Sequence, residues 1–272
     1  MTAAPDRHVA CALGFRVEPG TVLALQVAPA ASAGELTSEQ LTVTLEDQPV
    51  PVDDVRGEHG GRTHLVTTDA GRLNVSYAAT VRPGPPTPAD SSKAEALTYL
   101  RQSRYCPSDE LLGFAGNALR HLPAGPDLPR AIASWVFERL IYDLNTSGPF
   151  TTAIDTLAAN AGACRDFAHL TIALCRARGV PARLVAVYAP GLFPMDFHAV
   201  VEARVDGAWQ VLDATRLAPR SSLVRIATGR DAADTAFATT LAGDAEILAI
   251  QVTATTDGDL PLDDHAEVVR LA

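Results

Sequence analysis

The hydrophobic period changes partway along the chain, so no single element type accounts for both parts. Residues 1–83 read as strands. LTVTLED (41–47) sets Leu41, Val43 and Leu45 on one face and threonines on the other, the alternation of a half-buried strand. TVLALQVAP (21–29), RTHLVTT (62–68) and GRLNVSYAATV (71–81) are β-rich runs, bounded by Pro19-Gly20, Pro29 and a turn at Asp69-Ala70-Gly71. Short strands at this spacing predict a small antiparallel sheet or sandwich. RPGPPTPADSS (82–92) then carries four prolines, which lack the donor a ladder needs and disfavour helix just before them. It reads as a linker between an N-terminal β-rich domain, 1–88, and a second domain, 89–272.

Beyond the linker the period becomes helical. Ser92-Lys93-Ala94-Glu95 spells a capping box, opening a helix to about residue 102. A second helix is expected from Ser108 to about His121. A third starts near Asp127 with Pro129 in its first turn and carries Ile132, Trp135, Val136, Leu140 and Ile141 at helical spacing. A loop and a short helix near 152–159 follow. The clearest helix is Cys164–Arg178. Phe167, Leu170, Ile172, Leu174 and Cys175 supply its apolar side, Gly179 stops it and Pro181 follows. ARLVAVYAP (182–190), HAVVEARV (198–205) and AWQVLDAT (208–215) are strands of a second sheet, and AEILAIQVTAT (245–255) is a further strand.

Composition excludes several classes. With 47% apolar and 20% charged residues the chain is ordinary globular material. Its 32 acidic against 22 basic residues give a formal charge of −10, which argues against a nucleic-acid partner. No charge-free apolar run is long enough for a membrane span. The N-terminus has no export signal, since Pro5, Asp6, Arg7 and His8 precede a short apolar stretch, so a cytoplasmic address is the expectation. Cys11, Cys106, Cys164 and Cys175 are widely spaced and read as free thiols. Cys106 and Cys175 read as structural. No CxxC pair or metal-ligand cluster occurs, so neither a metal nor a cofactor is expected.

Cys164 stands where a thiol can be reactive. It opens a helix just after Ala161-Gly162-Ala163, and a helix N-terminus presents free N–H groups and the positive end of the macrodipole. Both favour thiolate, and the same N–H groups can hold an oxyanion. Burial as a small hydrophobe is the commoner fate of a lone cysteine, so the position needs a base beside it. His169 is wrongly placed: five helical steps put it roughly 140° around the axis from Cys164. His198 opens a strand that ends in the two-residue turn Asp206-Gly207, the favoured type I′ hairpin signal. That turn pairs Val205 with Ala208 and, counting outward, Val200 with Asp213 and His198 with Thr215. His198 and Asp213 are then diagonal neighbours, with Cβ atoms about 7 Å apart. Asp213 can hold one imidazole nitrogen and leave the other for Cys164, the logic of nucleophile, base and orienting acid. A satisfied His–Asp pair beside a core is the bland alternative.

These residues carry a resemblance. GACRDFAHL (162–170), RARGVPARLVAVY (176–188) and DFHAVVEARVDGAWQVLDATRLAP (196–219) closely resemble the bacterial transglutaminase-like superfamily, and SRYCPSDELL (103–112) resembles the stretch preceding that core. The resemblance implies an α+β fold: an N-terminal antiparallel β domain, then a papain-like core with the nucleophile helix packed on an antiparallel sheet. It implies catalytic roles for Cys164, His198 and Asp213, and support around the nucleophile from Arg165 and Asp166. First-turn charge complementing the helix dipole explains Asp166 equally well. Trp209 is a candidate cleft wall or a packing residue. A second oxyanion donor is not identifiable from sequence, and the loop 144–152 is where it is expected. The implied chemistry is acyl transfer through a thioester on a peptide, protein or small amide. The expectation leans to a cysteine peptidase or amidase, with transglutaminase or amide-forming acyl transfer to an amine as the alternative. A non-catalytic peptide-binding module is the alternative of another class.

Overall fold

The computed structural model describes residues 5–85 and 92–272. The first part contains β1 (Arg7–Val17), β2 (Thr21–Leu25), β3 (Gly34–Leu45), β4 (Gln48–Pro49), β5 (Asp53–Arg56), β6 (Arg62–Thr68) and β7 (Gly71–Pro83). Helices α1 (Lys93–Thr98), α2 (Leu112–Ala118) and α3 (Leu128–Arg139) follow. Then come β8 (Ile141–Tyr142), α4 (Ala153–Ala159), β9 (Ala161–Gly162) and α5 (Cys164–Ala177). The chain closes with β10 (Ala182–Tyr188), β11 (Phe197–Val205), β12 (Ala208–Leu212), β13 (Val224–Gly229), α6 (Ala232–Thr235), β14 (Ala238–Ala242) and β15 (Ala245–Thr256). The fold is mixed α+β with antiparallel sheets, apart from a parallel bridge between β8 and β9.

The first module is a sandwich of a five-stranded sheet, β15-β1-β7-β3-β4, and a four-stranded sheet, β14-β2-β6-β5. Alternate residues of β1 and β7, from Leu13 and Phe15 to Leu73 and Val75, meet Leu23, Leu25 and Val66 of the facing sheet. Each such side chain contributes about 1.5–3 kcal/mol by leaving water. The predicted boundary at residue 88 lies outside the described residues. The assignment of everything after it to a second domain needs correction, because β14 pairs with β2 and β15 with β1. Their apolar inner faces complete the sandwich: Val252 and Ala254 are buried in its core.

The second module is built on α5. Its residues Asp166 through Arg176 are all buried, under α2, α3 and α4 and against the sheet β12-β11-β10-β13. The helix stops as its sequence requires. Gly179, at φ +76°, donates to the Arg176 carbonyl and Val180 to that of Cys175, a complete Schellman motif. Two terminal signals read from sequence resolve differently. Ser92 caps α1 by accepting from Glu95 N–H, but the Glu95 carboxylate accepts from Arg183 Nη1 at 2.6 Å instead of closing the box. Residues 108–111 form turns, so α2 begins only at Leu112.

A buried charge cluster ties sheet and helices together. The Glu202 carboxylate accepts from Arg183 Nε at 2.8 Å and Arg225 Nη2 at 2.7 Å. Burial alone would raise its pKa, but the two guanidiniums hold it well below the usual carboxylate range. No helix among the described residues is long and apolar enough to cross a membrane.

Candidate active site

The strand–helix junction that presents Cys164 is shaped by its neighbours. Ala163 is extended, with φ −88° and ψ −179°, and Cys164 begins the helix. The side chain of Asp166, fully buried, folds back so that its carboxylate accepts from Ala163 N–H at 2.9 Å. Arg165 pairs with Asp166 at 3.3 Å and also donates to the Gly148 carbonyl. Asp166 thus supports the nucleophile's backbone and is not an open substrate contact. Cys11, Cys106 and Cys175 are buried free thiols, whereas Cys164 is partly exposed. Burial pushes Cys106 and Cys175 up to about 12.

The hairpin that carries the base has the expected turn. Asp206 and Gly207 have φ of 50° and 82°, and the ladder runs from Val205–Ala208 out to Val201–Leu212. It ends there, so the Val200–Asp213 and His198–Thr215 pairings are replaced by side-chain contacts. His198 Nε2 and Asp213 Oδ2 are 2.9 Å apart, and both residues are buried. Asp213 Oδ1 accepts from the Thr215 N–H at 2.8 Å and from its hydroxyl at 2.7 Å, which fixes the carboxylate plane. Burial opposes charge on the imidazole, but the adjoining carboxylate and its hydrogen bond outweigh it, and Cys164 pulls the same way, so His198 is held well above its ordinary pKa. Burial likewise opposes charge on Asp213, and His198 and Thr215 overcome it to keep that acid below its ordinary value. Both shifts favour the charged forms of the pair. His198 Nδ1 is buried and makes no hydrogen bond among the described residues.

Cys164 and His198 line one cleft of about 670 Å³. Its walls come from the N-terminus of α5, the sheet at Leu184, Ala186 and Phe197, and the returning segment that holds Phe237 and Ile247.

The other candidates sort cleanly. His169 stacks on Tyr105, with ring centroids 5.1 Å apart and planes 5° from parallel, and its Nε2 accepts from Ala232 N–H at 3.2 Å. Burial, with Arg165 and Arg176 nearby, holds it well below its ordinary pKa, so it is neutral and structural. Trp209 is absent from the cleft lining. It meets Tyr99 edge-on at 5.4 Å and lies under the Arg183 guanidinium at 4.0 Å, and that tertiary packing claims it. One residue at the site has no sequence signal of its own: Tyr142. β8 pairs Tyr142 with Gly162, two residues before the nucleophile, which brings the phenol close enough to Cys164 for the two groups to influence each other's charge. Burial first, and the sulfur second, push it up to about 12. It lies just outside the loop 144–152 in which a second donor was expected.

The transglutaminase-like superfamily profile matches residues 117–214, a span that includes Cys164, His198 and Asp213. The uncharacterized protein ML0607 of Mycobacterium leprae (strain TN) is 30% identical over 117 residues, 39% of this chain and 41% of its own. The chain therefore spans well under half the length of that curated relative. The crystal structure of a "putative cysteine protease" from Cytophaga hutchinsonii is 30% identical with a TM-score of 0.90, over 100% of this chain and 99% of that one. The periplasmic domain of TgpA from Pseudomonas aeruginosa, bound to ethylmercury, is 21% identical over 80% of this chain and 91% of its own, with a TM-score of 0.42.

Proposed function

The chain belongs to the transglutaminase-like superfamily, and from that premise we propose that it is a thiol-dependent acyl-transfer enzyme, a cysteine peptidase or amidase that opens a peptide or carboxamide bond through a Cys164 thioester. The observation that carries this reading is the arrangement of one imidazole. His198 Nε2 is committed to Asp213 at 2.9 Å, while its other nitrogen stays unbonded in the cleft that Cys164 shares.

In the proposed reaction the Cys164 proton resides on His198 and the thiolate attacks the carbonyl carbon. The C–S bond forms and the carbonyl pair moves onto oxygen. The Cys164 N–H at the helix terminus stabilises that charge, and the Tyr142 hydroxyl is the second donor. The imidazolium gives its proton to the leaving nitrogen, the C–N bond breaks and ammonia or an amine departs. Water then attacks the thioester, His198 takes its proton, the C–S bond breaks and the thiolate returns.

Iodoacetamide should label Cys164 in preference to the other three thiols near neutral pH, and His198→Ala should suppress that labelling. Equal, slow labelling of all four cysteines favours the non-catalytic binding module. Mass spectrometry of a peptide library, wild type against Cys164→Ala, then distinguishes deamidation or cleavage from joining of an amine with loss of ammonia.

A further inference from the structure

We propose that the cleft beside Cys164 receives an uncharged aliphatic or aromatic side chain of the acyl substrate, and that the first module supplies one wall of this pocket through Ile247 and Ile250. The inference rests on the acyl-transfer reading above. The first observation is a defect in β15. Gly14 pairs with Ala249 and Phe15 with Ile247, so Leu248 has no counterpart in β1. In an unbroken strand residues 247 and 250 would point to opposite faces. The one-residue bulge puts both on the same face, opposite Phe15 and Leu13. β15 is the edge of its sheet, and the two isoleucines reach past the sandwich core into the cleft. They remain 48% and 44% exposed there.

What they face is equally apolar. Ile226, 1% exposed, lines the cleft. Phe197 and Phe237 stack at 5.1 Å along it. Of the charged side chains of the cleft, Arg165 and Asp196 lie beside Cys164 and His198 in sequence, and the Arg104 and Arg165 guanidiniums lie over the Tyr105 ring. A charged substrate side chain placed among the isoleucines would lose hydration without gaining a partner. An aliphatic or aromatic one would bury the pair that the bulged edge leaves open. Exposed apolar side chains on a sheet edge invite aggregation unless something covers them, and the substrate of the adjoining thiol is the occupant that continuity with Cys164 and His198 favours.

The test uses peptidyl chloromethyl ketones, which alkylate Cys164 whatever acceptor the natural reaction uses. Probes carrying leucine or phenylalanine next to the ketone should react at least ~10-fold faster than those carrying glutamate or lysine, the scale of discrimination by an apolar pocket. The preference should disappear in the double variant Ile247→Asp, Ile250→Asp and weaken in Ile250→Gln. Each protein's ketone rates are divided by its own rate with iodoacetamide, which has no side chain to seat, so that any effect of the new side chains on the thiol itself cancels, and circular dichroism reports that each has folded. Equal rates for all ketones with wild type, ketones no faster than iodoacetamide, or a preference kept by the double variant would overturn the pocket. If iodoacetamide labelling is indifferent to His198→Ala, the acyl-transfer reading falls instead.

Discussion

A Cβ added to Gly162 would stand 2.6 Å from the Cβ of Asp166, so the glycine is the space into which the buried acid folds to hold the backbone before Cys164. Gly162→Ala should therefore push Asp166 off the Ala163 N–H. The expected loss of stability is about 1–3 kcal/mol, typical of overpacking, together with slower alkylation of Cys164. Thermal unfolding and the iodoacetamide rate measure the two effects. An unchanged rate would mean that the Asp166 cap does not position the nucleophile.

The His198 imidazole owes its charge to Asp213. Asp213→Asn keeps the shape and removes the charge. Alkylation of Cys164 at neutral pH should slow, because the ring loses the carboxylate that favours its charged form. Stability should respond with a definite sign. The folded-state pKa of His198 is raised, so its pairing stabilises fully below the unfolded value of about 6.5 and is lost as pH rises through the folded value. The Asn variant should lack that decline. An unchanged alkylation rate would remove Asp213 from the proposed machinery.

Tyr142→Phe isolates the phenolic hydroxyl. Alkylation by iodoacetamide forms no oxyanion, so it should change only through the contact of the phenol with the sulfur and by much less than turnover does. Turnover of a peptide amide should fall by about 10²-fold in kcat, the low end for loss of one oxyanion donor. Equal turnover by the two proteins would exclude the tyrosine from that role.

Glu202 is the acid that makes two buried guanidiniums tolerable. Glu202→Gln should destabilise by about 3–5 kcal/mol, as expected for one half of a buried ion pair. The folded-state pKa of Glu202 is depressed, so its contribution is present above the unfolded value and lost as pH falls through the folded one. Urea unfolding should show the gap between wild type and variant narrowing in acid. A gap independent of pH would assign the cost to packing alone.

What was readable in the sequence was local. Asp206-Gly207 fixes its hairpin within four residues, and positive φ at both positions needs no help from the rest of the chain. Gly179 ends α5 by the same kind of short-range rule. Cys164, His198 and Asp213 could be placed together because a helix start and a turn-registered hairpin constrain them one element at a time. Misread features depend on partners far away. Glu95 follows Arg183 rather than its own helix; for Trp209 the sequence left cleft wall and packing open, and Tyr99 and Arg183 supply the packing. The strand β1 is hidden because the residues between its inward-facing Cys11, Leu13 and Phe15 include alanine and glycine, which blur the alternation. Tyr142 reaches the site through a two-residue bridge, too short to leave a periodic trace.

The return of β15 to β1 has a consequence for synthesis. On the ribosome the strand from residue 7 to 17 emerges early, yet one of its two neighbours is translated more than two hundred residues later. Domains tend to form as they leave the tunnel, but this sandwich cannot close then, and neither can the cleft wall that Ile247 and Ile250 provide. A nascent chain thus carries Cys164, His198 and Asp213 before the strand that walls their cleft has been made, so the triad and the proposed side-chain pocket are synthesised one after the other.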